Sequence, residues 1–399
     1  MTKEKAIIFS TVLIDVLGFG IVIPILPFYV TEFGVSPSTV TLLFASFSFF
    51  SFLSAPILGA LSDRIGRRPV LLLCIASTAV GWFVFASATT VPVLFLGRII
   101  DGIAAGNFTI AQSYIVDVSR DDADRTKSLG LLSAVFGMGF LLGPIAGGVL
   151  SMVSHAFPFW AAGCLALVNG VIALLFLPES HRNREGARPL TFNPLGPIAR
   201  AARDRRLRPL YVTWLMFALA FVTGQSVFSL FARDVFGMNA FQAGMLFAGI
   251  GVVVVLNQTL LLNRFWLKRF TMSGLTILML SILAVALLLI GTEALPLFFL
   301  ALAGLGTGQA VLRVVVTTQV AGASGKLRKG ETMGILSAIM SASMVVAPVV
   351  AGLLFEIDHA IPYFVASGFM GIALIEMLLR KPGPAEMPPG APPEIRQAS

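Results

Sequence analysis

Long apolar runs, separated by short segments that gather most of the charge, recur along the whole chain. The runs cover 6–30, 40–61, 69–88, 92–116, 128–152 and 158–177, then 209–231, 241–262, 271–291, 295–319, 332–355 and 362–379. A helix needs about 20 apolar residues to cross a hydrocarbon core of ~30 Å, and each run is near that length. None shows the alternation of barrel strands, so the pattern predicts an all-α membrane protein with twelve transmembrane helices. The first run follows Met-Thr-Lys-Glu-Lys. It is longer than a signal-peptide core and has no small-x-small cleavage site after it, so it reads as a retained span.

Composition agrees. Over 399 residues, 57% are apolar and 12% charged, whereas soluble domains carry about 25% charge. Phe outnumbers Tyr by 33 to 4, so the aromatic residues serve apolar surface more than hydrogen bonding. Cys74 and Cys164 both sit inside apolar runs, which excludes a disulfide framework or a zinc site. A net charge of +8 would suggest nucleic acid in a soluble chain. Here the basic residues cluster between the runs and point to the lipid bilayer instead. Of the 28 Lys and Arg residues, all but Arg98, Arg233 and Arg313 fall in segments on one side of a strict alternation. The positive-inside rule then places both termini in the cytoplasm, with the chain multi-pass in a bacterial cytoplasmic (inner) membrane.

The longest polar segment divides the runs six plus six. The expected organisation is a six-helix bundle over 1–177, a cytoplasmic linker over 178–208, a second six-helix bundle over 209–380, and a disordered tail over 381–399. Two readings stand for 195–207: an amphipathic helix on an anionic leaflet, or a solvated linker. A repeat joins the halves. Gly130, Leu132, Ser133, Ala134, Pro144, Gly148 and Leu150 recur in register as Gly334, Leu336, Ser337, Ala338, Pro348, Gly352 and Leu354. Two like-oriented bundles are a transporter architecture, with the site expected between the halves.

Four stretches then carry a resemblance. Gly59-Ala-Leu-Ser-Asp63-Arg64-Ile-Gly66-Arg67-Arg68-Pro69-Val, between spans two and three, resembles the signature loop of the major facilitator superfamily. Asp15-Val-Leu-Gly18-Phe-Gly20-Ile-Val-Ile-Pro24-Ile-Leu-Pro27 is similar to the first-helix motif of its drug:proton antiporter branch. Arg98-Ile-Ile-Asp101-Gly102 is similar to that branch's Arg-x-x-x-Gly motif. Gly139-Phe-Leu-Leu-Gly143-Pro144-Ile-Ala-Gly147-Gly148 is similar to its exporter motif in span five. Pro178-Glu179-Ser180 and Gly224-Gln225 resemble bacterial tetracycline-efflux-like members. The likeness covers nearly the whole chain and is stronger in the first half. It implies the major facilitator fold and an antiporter that exports a drug-like small molecule, expected to act as a monomer; the alternatives are a sugar or metabolite exporter or facilitator of the same fold, and a non-transporting membrane sensor or assembly protein. The proton would be the coupling ion, with no cofactor and no enzymatic activity.

Each motif also has a physical reading. In the 59–68 loop, Gly59 would let two helices approach, Gly66 would permit a tight turn, and Asp63 would cap a helix or pair with Arg67 or Arg68. With Arg64 these form a conformational latch, expected to tie spans two and three to span eleven in the outward-open state. The counterpart Asn263-Arg-Phe-Trp-Leu-Lys-Arg269 lacks the glycines and the acid, so a latch there would be weaker. The stripe Gly139, Gly143, Pro144, Gly147 and Gly148 reads as close helix packing, or as a bend that permits rocking.

Charges inside the membrane are costly and mark function by default. Asp15 lies about 14 Å into span one and Asp101 reaches a similar depth from the other face. Arg98 shares a face with Asp101 at i,i+3, and Gln112 continues that stripe through Ala105 and Phe108. A carboxylate poised between desolvation and pairing with a cation describes a proton site. For Asp101 the alternative is a static ion pair with Arg98. Asn107, Gln112, Gln225, Asn257, Gln258, Gln309 and Arg313 are expected to line the substrate cavity or, for the amides, to join helices. Arg313 is expected to snorkel toward the inner end of span ten. Glu376, in the inner third of span twelve, stays unassigned. His155, His181 and His359 lie at or beyond span ends.

One departure bears on cargo. Gram-negative tetracycline:proton exchangers carry a histidine in span eight and an aspartate in span nine. Here Asn257 stands where that histidine would be, and 271–291 contains no ionisable residue. The expectation is broad drug recognition by a second half of apolar walls and amides, with tetracycline at best one substrate among several.

Overall fold

The structure is a computed structural model that describes residues 3–180, 196, 199, 201, 207–324 and 329–379. The questions over 195–207 and the tail fall largely outside them. The described residues form helices throughout: α1 (Lys3–Thr31), α2 (Pro37–Ile65), α3 (Arg67–Ala86), α4 (Val91–Ile103), α5 (Asn107–Asp117), α6 (Asp122–Leu150) and α7 (Phe157–Phe176). They continue with α8 (Arg208–Phe236), α9 (Ala240–Leu256), a π-helical stretch (Asn257–Trp266), α10 (Leu267–Arg269), α11 (Met272–Gly291), α12 (Leu295–Ala323), α13 (Lys329–Ile357) and α14 (Ile361–Leu379). Together they supply 12 segments long and apolar enough to cross a membrane, matching the twelve runs. Several of these helices are 29 residues long, about 43 Å at 1.5 Å per residue, so their ends extend beyond the hydrocarbon core.

Local chemistry sets the helix ends. Pro37, Pro92, Pro158 and Pro296 sit in the first turns of α2, α4, α7 and α12, where a missing N–H costs nothing. Asp121 caps α6 by accepting from the Asp124 N–H at 2.7 Å. Gly66, at φ +111°, is the single residue between α2 and α3, which is the tight turn expected of it.

By packing, the chain forms two compact units, Met1–Pro194 with Phe228–Ala248, and Leu195–Val227 with Gly249–Ser399. This cuts across the division of the chain at its longest polar segment. In the first unit α1 lies along α6 and α7, α3 along α4 and α7, and α2 along α4. The α6 glycine stripe explains the closest of these contacts. A Cβ at Gly143 would lie 2.7 Å from the Gly20 Cα, and one at Gly139 would lie 2.9 Å from the Val16 Cβ. On another face of α6, a Cβ at Gly244 would lie 2.6 Å from the Pro144 carbonyl oxygen, so Phe228–Ala248 groups with this unit. Gly59 differs from its expectation. A Cβ there would meet no atom within 4 Å among the described residues, because this face of α2 is not closely approached. In the second unit α11 packs on α12 and α14.

Candidate functional site

The fourth span is broken, and that organises the site. α4 stops at Ile103 and α5 starts at Asn107, with tight turns in which the Ala105 N–H donates to Gly102 O and the Gly106 N–H to Ala104 O. The small residues permit close packing: a Cβ at Gly102 would sit 2.8 Å from the Phe47 carbonyl oxygen, and one at Gly106 2.9 Å from Leu58. The break ends the stripe expected to run from Arg98 to Gln112. Helical periodicity does not carry across it, and Gln112 is exposed whereas Arg98 and Asp101 are buried.

Arg98 and Asp101 pair as their spacing predicts, with Nη1 at 3.2 Å from Oδ2. The guanidinium lies 4.3 Å from the centroid of Phe47 and 5.4 Å from that of Trp82, so aromatic faces stabilise it away from water. Gly81 admits Asp101 against α3, since a Cβ there would be 2.8 Å from the Asp101 Cβ. Arg98 Nε is buried and has no hydrogen-bond acceptor among the described residues. The pair is therefore only partly satisfied.

Asp15 is held differently. Its Oδ1 accepts from the Asn107 amide at 2.8 Å, and the same amide donates to Thr78 Oγ1 at 3.4 Å. No basic side chain pairs with Asp15 among the described residues. Asp15, Thr78, Trp82 and Asn107, with Thr11 and Asn169, line a narrow gap with room for about one water molecule. Asn107 Oδ1 is buried there without a hydrogen-bond partner among the described residues. Asn107 had been expected to line the substrate cavity or join helices; it is the residue that orients Asp15.

At the end of the membrane where α1 begins, Arg67 is the hub of the 59–68 loop. It pairs with Asp63 one turn earlier, with Asp117 at 3.1 Å, and donates to Ser62 Oγ at 2.7 Å. Glu179 completes the loop. Its carboxylate accepts from the Arg67 and Arg68 N–H groups at 2.9 and 3.1 Å and so caps α3 from beyond α7. Arg68 donates to the Leu174 carbonyl, and the Tyr114 hydroxyl to that of Pro178. Glu179 stood in a quoted motif, but sequence reasoning gave it no role; the uncapped Gly66-Arg67 start of α3 was the available signal. Glu179→Ala should cost about 1–2 kcal/mol, as loss of a helix cap does, and lower the thermal midpoint of the purified protein. An unchanged midpoint would show that water replaces the carboxylate.

The expected cavity residues of the second unit divide. Asn257 is buried with its amide engaged, donating to Val253 O and Thr307 Oγ1 and accepting from Trp266 Nε1. It ties helices at the start of the π-helical stretch. Gln225 and Gln309 are half-buried, and Gln258 and Arg313 are exposed. The Arg313 guanidinium lies 5.7 Å from the centroid of Phe221.

Comparison with known proteins agrees with this architecture. The family profile described as Major Facilitator Superfamily matches residues 8–292. The class C tetracycline resistance protein of Escherichia coli is 30% identical over 352 residues, covering 86% of this chain and 87% of that protein. Multidrug resistance protein 1 of Bacillus subtilis (strain 168) is 28% identical over 373 residues, covering 92% and 94%. The solved nucleoside transporter NupG superposes with a TM-score of 0.76 over 95% of this chain and 100% of its own, at 14% identity, a likeness of fold alone. Twelve spans, the Gly66 turn with its Asp63–Arg67 pair, and a family match over most of the length make this chain a multi-pass membrane transporter of the Major Facilitator Superfamily, not an enzyme.

Proposed function

We propose that the protein exports amphiphilic, drug-like molecules from the cytoplasm in exchange for protons. The observation that carries this reading is Asp15, an intramembrane carboxylate whose hydrogen bond comes from a neutral amide and not from a cation. A structural acid at that depth would be matched by a basic partner; a proton carrier must lose and regain its charge. Asp101 and Arg98 form the second element. Their buried pair leaves one guanidinium nitrogen unsatisfied, so protonation of Asp101 or approach of a charged cargo can compete for it. Relatives named for tetracycline and multidrug resistance support this choice of substrate class.

In this cycle substrate enters from the cytoplasm or inner leaflet while Asp15 is ionised. It leaves outward as a proton arrives, and the protonated carrier resets. The basic-residue bias supports a bacterial cytoplasmic membrane with both termini and the 178–208 linker inside. The 59–68 loop biases the conformational equilibrium without touching substrate. Glu179→Ala should therefore slow turnover more than it weakens binding; equal losses would sink the latch role.

The direct test uses everted vesicles acidified inside by respiration. Adding a substrate such as tetracycline, a lipophilic cation dye or chloramphenicol should dissipate part of the pH gradient and drive uptake. A gradient unaffected by every compound, with no counterflow in liposomes, would exclude the exporter reading.

A further inference from the structure

Thr78 lines the gap beside Asp15 and also reaches Asp101, yet the proton cycle gives it no task. It lies on α3, on the face that carries Gly81 and Trp82 one turn later. That is the face against which Asp101 packs. The Asn107 amide donates one hydrogen to Asp15 Oδ1 at 2.8 Å and the other to Thr78 Oγ1 at 3.4 Å. The Thr78 hydroxyl in turn hydrogen-bonds the Asp101 carboxylate, to which it donates its single hydrogen. Asp101 also accepts from Arg98 Nη1 at 3.2 Å. The two intramembrane acids are thus joined in one hydrogen-bonded chain that runs through α1, α5, α3 and α4.

The members of this chain differ in what they can pass on. Asn107 is a neutral amide, so it positions its neighbours, whereas a hydroxyl donates and accepts at one atom. The gap has room for about one water molecule and is lined by both Asp15 and Thr78. Asn107 Oδ1 is buried there without a hydrogen-bond partner among the described residues, and a buried water satisfies an acceptor of this kind. Among the described residues, the groups around the gap that carry or exchange charge are Asp15 from α1, Cys74 from α3, and Arg98 with Asp101 from α4. α7 adds the neutral amide of Asn169. Asp15 is half-buried while Asp101 is only 6% exposed, so a proton arriving from solvent meets Asp15 first.

We propose that Thr78, with one water held in the gap, relays a proton between Asp15 and Asp101. One O–H bond breaks on the Asp15 carboxyl as its proton passes to the water. The water gives a hydrogen to Thr78 Oγ1, and the Thr78 hydroxyl gives its own to the Asp101 carboxylate, where one O–H bond forms. Water and hydroxyl end neutral, and the reverse transfer retraces the same bonds. The step leaves Asp15 ionised and removes the charge that pairs with Arg98. This deepens the proton-exchange reading and rests on it for its part in transport: a proton taken up at the accessible acid loosens the buried ion pair.

The test is time-resolved infrared spectroscopy of the purified full-length protein after a rapid drop in pH. The protonated-carboxyl bands are assigned through Asp15→Asn and Asp101→Asn. In wild type the Asp15 band should rise first and the Asp101 band follow. Thr78→Val keeps the shape and removes the hydroxyl. It should slow the Asp101 band about a hundredfold, the scale of a positioned proton-transfer group, and leave the Asp15 band unchanged. Thr78→Ser should restore the rate, and Asp15→Asn should slow the Asp101 band as well. A wild-type Asp101 rate in Thr78→Val, equal slowing of both bands, or no rescue by serine would overturn the proposal. So would the absence of an Asp101 band at every pH where the protein stays folded. If Thr78→Val does not fold, Asp15→Asn decides, since an undiminished Asp101 rate in that variant overturns the relay. The measurement uses neither substrate nor gradient, so failure of proton exchange in vesicles would sink the exporter reading and leave this result standing.

Discussion

Asp15→Asn is expected to abolish proton-driven accumulation in everted vesicles while leaving downhill substrate exchange measurable. Asn has nearly the shape of Asp, and its carbonyl oxygen can still accept from the Asn107 amide, 2.8 Å away in the native protein. What it removes is the titration. A transporter whose carrier cannot load a proton can still alternate with substrate bound, but has no means of drawing on the gradient. The expected loss is therefore complete for uphill transport and partial for exchange. Undiminished accumulation by the variant would take Asp15 out of the mechanism and leave Asp101 as the carrier.

Gly143→Ala is expected to cause a large structural loss for a single methyl group. The new Cβ would lie 2.7 Å from the Gly20 Cα and 2.9 Å from the Leu17 carbonyl oxygen. Both are backbone atoms, so no side chain can rotate aside and α1 must separate from α6. Overpacking a tight core costs about 1–3 kcal/mol, and a backbone obstacle places this site at the upper end. Gly137→Ala, on the same helix, meets no atom within 4 Å among the described residues. It gains helix propensity of about 1 kcal/mol, so its thermal midpoint should hold or rise. Comparing the two by thermal unfolding separates packing from propensity. Similar midpoints would show that α1 and α6 are not held together through this contact.

Of the candidate site, the parts legible in the sequence were local. The Arg98–Asp101 pair follows from i,i+3 spacing in one helix, and the Asp63–Arg67 pair from i,i+4. The Gly66 turn follows from a glycine between two apolar runs. The apolar lengths and the bias of basic residues gave the spans and the expected orientation. Each of these depends on the helix repeat or on the thickness of the bilayer, which any chain of this composition must obey.

Tertiary structure decided which faces meet. Asn107 reaches Asp15 across 92 positions, and Glu179 caps Arg67 across 112. The closeness of α1 makes Gly143 indispensable, while Gly59 has space around it. Packing of Gly102 and Gly106 against α2 and α3 accompanies the break in the fourth span and ends the stripe toward Gln112. Phe221, on another helix, brings an aromatic ring to the Arg313 guanidinium. In a soluble protein the polar face of each helix would have announced its orientation. In a membrane, lipid and protein interior are both apolar, so the sequence marks where helices run but not how each is rotated toward its neighbours.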